Sequence, residues 1–200
     1  MRTNKRINQI EELLKKFRWA TLGKMYGCAH SSIIGFISTE WINLSGNNSI
    51  LDGAPSPYTG QGRTGQRNAD IILCQADKPL IVVEVETQVD KYREKLISIY
   101  DYLKNDKEFN GIRFGLMIMI NLCSGDRKYK HNWDEIKKEV RNKNYPIALV
   151  SLEKERVSLG NSILDKLRKR NDYFPWEAIN IDFWIYSDDV ELEGNLWKKN

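Results

Sequence analysis

Asp70, Glu84 and Glu86 are the residues of this chain whose types and spacing favour chemistry. Residues 69–74 (ADIILC) and 80–86 (LIVVEVE) are short β-branched runs separated by QADKP, which predicts a β-hairpin. Glu84 and Glu86 stand two residues apart on the second strand, so their side chains share a face. With the turn centred on Asp77, the numbers of cross-strand partners sum to 154, which sets Asp70 directly opposite Glu84. Opposed residues have Cβ atoms about 4.5–5.5 Å apart. The same register pairs Ile72 with Val82 and Cys74 with Leu80 on that face. Ile71, Leu73, Ile81, Val83 and Val85 lie on the other face, so both strands read as internal.

Two like charges about 5 Å apart repel by roughly 3 kcal/mol at an effective dielectric constant of about 20. A carboxylate cluster at the end of a buried hairpin is therefore costly unless something offsets it. The remedies are to protonate one group, to place an Arg or Lys among them, or to bind a hard divalent cation. With neither histidine nor cysteine in it, the cluster favours Mg²⁺, Mn²⁺ or Ca²⁺ over zinc. Such an ion polarises a phosphodiester oxygen and generates hydroxide at neutral pH.

The stretch NAD-IILCQADKPLIVV-EVE resembles the PD-(D/E)XK nuclease superfamily. The motif of that superfamily sets an Asp at the start of one strand, then an acidic residue, any residue and Lys on the next. The resemblance implies that Asp70 and Glu84 ligate Mg²⁺, with Mn²⁺ as a substitute, and that Glu86 stands where Lys is usual. It implies a DNA endonuclease of the restriction type (type II-like), with Asp70, Glu84 and Glu86 catalytic and DNA as the partner. The implied fold is α/β, a restriction-endonuclease-like three-layer core with a mixed central sheet flanked by helices. The motif covers the 17 residues from Asp70 to Glu86, and the order of elements matches over residues 1–152.

Two positions depart from the motif: Ala69 replaces a proline, and Glu86 replaces the lysine. Some restriction enzymes of the superfamily carry Glu or Gln at the second position. Lys91 and Lys95, in the first two turns of the following helix, are candidates to supply the missing charge; Lys95 reads equally well as a solvated residue at the edge of the apolar stripe. Glu11 is either an auxiliary acidic residue contributed by the first helix or an ordinary surface glutamate. Loss of the lysine also supports a second reading, a catalytically degenerate nuclease-like protein that binds nucleic acid or serves as a partner subunit. A third is a hydrolase of RNA or another phosphoester. A homodimer or a complex with a partner subunit is the assembly expected for the enzyme.

The elements around the hairpin follow from periodicity. Ile7, Ile10, Leu14 and Phe17 predict an amphipathic first helix, whereas residues 19–42 are apolar but broken by glycines and assign no element. Residues 43–66, with five glycines and two prolines, predict a long loop that bears Arg63 and suits contacts to nucleic-acid phosphates or bases, as does Arg67 just beyond it. Tyr92, Leu96, Ile99 and Leu103 predict a helix over 89–104. Strands follow at 113–121 and 146–152 with a helix at 133–142 between them, then a helix at 162–170 and a strand at 179–186. Residues 188–193 (DDVELE) read as an acidic tail. The whole is expected to be one domain, residues 1–200, with a core at 1–152 and a C-terminal helix and strand extension at 153–200.

Composition narrows the class. The chain has 200 residues, 41% hydrophobic and 29% charged, which are globular values. Three scattered cysteines form no CxxC pair, which argues against a zinc knuckle or a disulfide scaffold. No apolar run is long enough to span a membrane, so a soluble protein of a reducing compartment, the cytoplasm, is expected. The first 69 residues hold nine Lys/Arg against four Asp/Glu, a basic region beside an acidic middle that suits a polyanion partner as well as it suits ordinary scatter. Gly60, Gly62 and Gly65 spell GxGxxG but follow PSPYT and precede a strand, so the dinucleotide reading fails. His30 and His131 are isolated, and GxSxG, HExxH, HRD and DFG are all absent.

Overall fold

The computed structural model describes residues 2–17, 21–22, 26–44, 46–52, 68–86, 91–104, 111–121, 127–156, 176–187 and 190–197. Helix α1 (Arg2–Phe17) buries the predicted Ile7, Ile10 and Leu14 along one stripe and adds Leu13 to it. A two-residue strand, β1 (Thr21–Leu22), precedes helix α2 (Tyr26–Asn43), which fills most of the segment whose pattern assigns no element. Ile33, Ile37 and Trp41 recur every four residues along α2 and are fully buried. The Asn48 side-chain amide closes the end of this helix by donating to the carbonyls of Trp41 at 2.8 Å and Leu44 at 2.6 Å.

Strand β2 (Asn48–Asp52) corrects the expectation of an unbroken loop from 43 to 66. It pairs antiparallel with β3 (Ile71–Gln75), and as the terminal strand of the main order it tolerates a polar composition. Strand β4 (Lys78–Glu86) completes the predicted hairpin through a turn at Ala76 and Asp77, both at positive φ (47° and 60°). The pairs Ile71–Val83, Ile72–Val82 and Leu73–Ile81 keep the predicted register. Beyond Leu73 it shifts, and Cys74 pairs with Pro79 rather than Leu80. Leu80 is thus the extra residue of a β-bulge and packs in the layer opposite Val82, not beside it.

Helix α3 (Tyr92–Lys104) carries the chain from β4 to the parallel strand β5 (Phe114–Asn121). Helix α4 (Arg127–Lys143) does the same between β5 and β6 (Ile147–Arg156). Strand β7 (Trp176–Ser187) returns antiparallel along β6, and β8 (Val190–Trp197) pairs with β7, so the expected acidic tail is instead a strand. Among the described residues the sheet has eight strands and runs β1-β7-β6-β5-β4-β3-β2, with β8 on β7. It is mixed, and both of its faces are covered. Side chains of α1 and α2 pack with Ile71, Val83, Leu116 and Val150 on one face. Those of α3 and α4 pack with Ile72, Val82, Met117 and Leu149 on the other. The predicted helix at 162–170 lies outside the described residues.

Contact between α3 and the sheet is close because Gly115 has no side chain. A Cβ there would stand 2.4 Å from the Ile99 Cγ2 and 3.2 Å from the Ile147 Cγ1. This fit seats α3 over β4 and β5, with Leu96 and Ile99 fully buried. Burying each of these side chains contributes about 1.5–3 kcal/mol. Among the described residues, no helix is long and apolar enough to cross a membrane.

Candidate active site

The ladder between β3 and β4 ends where the site begins. Continued by two residues, the register would pair Ala69 with Val85. Instead the Val85 N–H donates to the Asp70 Oδ2 at 2.7 Å, and the Ala69 N–H donates to the buried Tyr102 hydroxyl at 3.1 Å. The Asp70 carboxylate therefore takes the place of a backbone acceptor, which pins it at the mouth of the hairpin. Glu84 lies beside Met117 of β5, faces α3 and is 1% exposed.

Helix α3 meets both carboxylates. Lys95 and Ser98, three residues apart, project from one helical face. The Lys95 Nζ donates to the Glu84 Oε2 at 2.7 Å and lies 3.2 and 3.4 Å from the two Asp70 oxygens. The Ser98 hydroxyl donates to the Glu84 Oε1 at 2.5 Å. From the other helical layer, the His30 Nε2 of α2 comes within 3.3 Å of the Asp70 Oδ2. Four elements thus converge on one pair of carboxylates.

Electrostatics separate the two acids. Burial pushes the Asp70 carboxyl up, but the His30 hydrogen bond, the Lys95 charge and the Val85 N–H outweigh it and hold the group at about 2. Burial dominates at Glu84, the Asp70 charge adds to it, and Lys95 and Ser98 only partly offset them, so its carboxyl is pushed up to about 7. Burial alone would lower the Lys95 ammonium, yet the charges of Glu84 and Asp70 win and raise it. The hydrogen bond to Asp70 raises the His30 imidazole against its own burial, and the Glu86 charge contributes. Near neutral pH the site holds an ionised Asp70, a charged Lys95 and a Glu84 poised between its two forms.

The structure distributes the other candidates less evenly. Glu86 is half-buried at the end of β4, on the Glu84 face. Lys91 is exposed just before α3, so Lys95 is the lysine in contact with the pair. Glu11 is half-buried on α1, whose main contacts are with α2 and β7. Arg63 and Arg67 lie outside the described residues. Sequence reasoning missed His30 and Ser98. His30 stands 3, 7 and 11 residues before Ile33, Ile37 and Trp41, so it continues the buried face of α2, a signal visible once that helix is recognised.

Among the described residues, no group of three or more His, Cys, Asp or Glu side chains forms a cation cage. The donor set still suits Mg²⁺, which is ordinarily held by one or two carboxylates with water and substrate phosphate completing its shell. The pair already gathers one cation, the Lys95 ammonium. No protein-family model matches the chain, and no curated protein or solved structure matches it.

Proposed function

We propose that the chain is a Mg²⁺-dependent DNA endonuclease of the restriction type, built on a restriction-endonuclease-like core. One observation carries the reading: an acid at the start of a strand, an acid on the next strand and an amine from the following helix meet within hydrogen-bonding distance. The antiparallel run β2-β3-β4, continued through α3 into the parallel β5, supports it. Asp70 and Glu84 would hold the ion, which supplies Lewis acidity and a water of lowered pKa when bound. Lys95, a quarter exposed, is the cation available to the scissile phosphate and to the attacking water. It takes the role that the motif assigns to the position of Glu86. Glu86 orients the water from the half-buried rim of the site, and DNA phosphates are drawn by the basic first third of the chain, which includes Arg63 and Arg67. A homodimer would present two such sites to the two strands.

A second reading, a nucleic-acid-binding or partner subunit that no longer cuts, is favoured by one feature: Lys95 and His30 already compensate the carboxylates. The test incubates the purified protein with supercoiled plasmid, phage DNA and a matched RNA in Mg²⁺, Mn²⁺ or EDTA, beside Asp70→Ala. Discrete metal-dependent DNA fragments, lost in Asp70→Ala, are expected. DNA binding without cleavage in either metal would transfer the assignment to the second reading. Preferential cutting of the RNA would overturn the DNA assignment.

A further inference from the structure

The geometry points to His30 as a positioning residue that sets the orientation of the Asp70 carboxylate from the opposite helical layer. The Asp70 Oδ2 receives the Val85 N–H at 2.7 Å, the His30 Nε2 at 3.3 Å and the Lys95 Nζ at 3.2 Å, whereas Oδ1 faces Lys95 at 3.4 Å. A carboxylate held by one backbone donor can still swing about its side-chain torsions. Lys95 shares its ammonium between Asp70 and Glu84, so the further donor that belongs to Asp70 alone is His30, which arrives from α2 rather than from the hairpin and fixes the plane of the group. Oδ2 is then committed to the protein, and Oδ1 is directed with the Glu84 Oε2 toward the position that Lys95 occupies. Ser98 plays the matching part at Glu84, engaging Oε1 and leaving Oε2 to the cation.

His30 suits this role because α2 is anchored independently of the hairpin's outer end. Ile33, Ile37 and Trp41 are fully buried, and the Trp41 indole N–H donates to the Cys74 carbonyl at 2.8 Å, tying the helix to β3. A donor on that face, one turn before Ile33, has its position set by the core. His30 is itself 31% exposed, so replacing it disturbs little packing. Outer-shell donors of this kind are ordinarily worth about 10–100-fold in metal affinity or activity. The consequence for metal binding rests on the proposed function; the orientation of Asp70 does not.

The experiment compares wild type, His30→Ala and His30→Gln, since the Gln amide places an N–H donor near the position of the imidazole Nε2. Mn²⁺ affinity is read by electron paramagnetic resonance, and the Asp70 carboxylate by crystallography of each variant without metal. His30→Ala is expected to rotate the Asp70 carboxylate and to weaken Mn²⁺ binding about tenfold. His30→Gln is expected to restore both, its affinity returning to within about threefold of wild type. An unmoved carboxylate in His30→Ala would overturn the assignment. So would equal loss of affinity in both variants, which would make the imidazole itself the contact. If wild type binds no Mn²⁺, the metal reading fails and the crystallographic comparison alone decides the role of His30.

Discussion

Removing the ammonium of Lys95 while keeping its length, as in Lys95→Met, tests whether the carboxylate pair is electrostatically compensated as its geometry indicates. The Nζ lies 2.7 Å from Glu84 and 3.2 Å from Asp70. At an effective dielectric constant of about 20, those separations correspond to attractions of roughly 6 and 5 kcal/mol, which are upper bounds because ammonium desolvation opposes them. Breaking a buried pair costs about 3–5 kcal/mol, and Lys95 is 24% exposed, so a loss of about 2–4 kcal/mol is expected where both acids are ionised. The pH dependence gives the sharper test. The Glu84 carboxyl is raised from 4.5 to about 7, so its contribution to stability is fully present below about pH 4.5 and is lost as pH rises through about 7. At pH 5.5 the folded Glu84 is already neutral and Lys95 compensates chiefly Asp70, so the loss should fall to about 1–2 kcal/mol. Urea denaturation in EDTA at pH 5.5 and 8.5, followed through the buried Trp41 and Trp184, measures both values. A loss equal at the two pH values would refute the electrostatic account and assign the effect to the packing of the lysine stem.

Two further outcomes are expected. Free Mg²⁺ at ten times its dissociation constant should stabilise the protein against urea by about 1.4 kcal/mol at pH 8, an effect abolished by EDTA and by Asp70→Asn; an unchanged midpoint in wild type would remove the cation site. Gly115→Ala should cost about 1–3 kcal/mol, because its Cβ would meet the buried Ile99 at 2.4 Å. Adding Ile99→Leu, which removes the Cγ2 methyl that the new Cβ would meet, should recover part of that loss in thermal melts, and a neutral Gly115→Ala would mean that α3 is not seated as described.

The hairpin was legible because its two signals are local: period-2 β-branched runs and a short polar turn. Three predicted pairs hold, and the register fails only where Leu80 bulges out, an event that depends on how Pro79 and its neighbours settle in the sheet. Strand β2 was hidden because its pairing partner is distant and its composition is that of the surrounding loop. Strand β8 was misread through charge alone. Its Val190 and Leu192 alternate toward the core, while Glu191 and Glu193 pair with Arg141 and Lys137 of α4. The acidic residues that suggested a tail are the partners of a basic helix face. Helix α2 lacks a polar stripe to contrast with its apolar one, so periodicity could not separate it from a buried strand.

The site was half legible for a similar reason. Sequence places Asp70 opposite Glu84 and shows that the pair needs an answer to its repulsion. Which answer is used is a tertiary fact, because Lys95 reaches the pair only when Gly115 lets α3 settle on the sheet. The structure applies two remedies together, an ammonium in contact with both acids and a Glu84 held near neutrality. That combination has a consequence for substrate. With Lys95 charged and Asp70 ionised, the three groups sum to 0 while Glu84 is neutral and to −1 once it ionises, so none of these states attracts a phosphodiester; adding a divalent ion to the ionised pair makes the sum +1, which does. On the proposed reading, metal binding and DNA binding at this site are therefore coupled by charge: Asp70 and Glu84 would hold the ion, and Lys95 would be the cation left to face the phosphate.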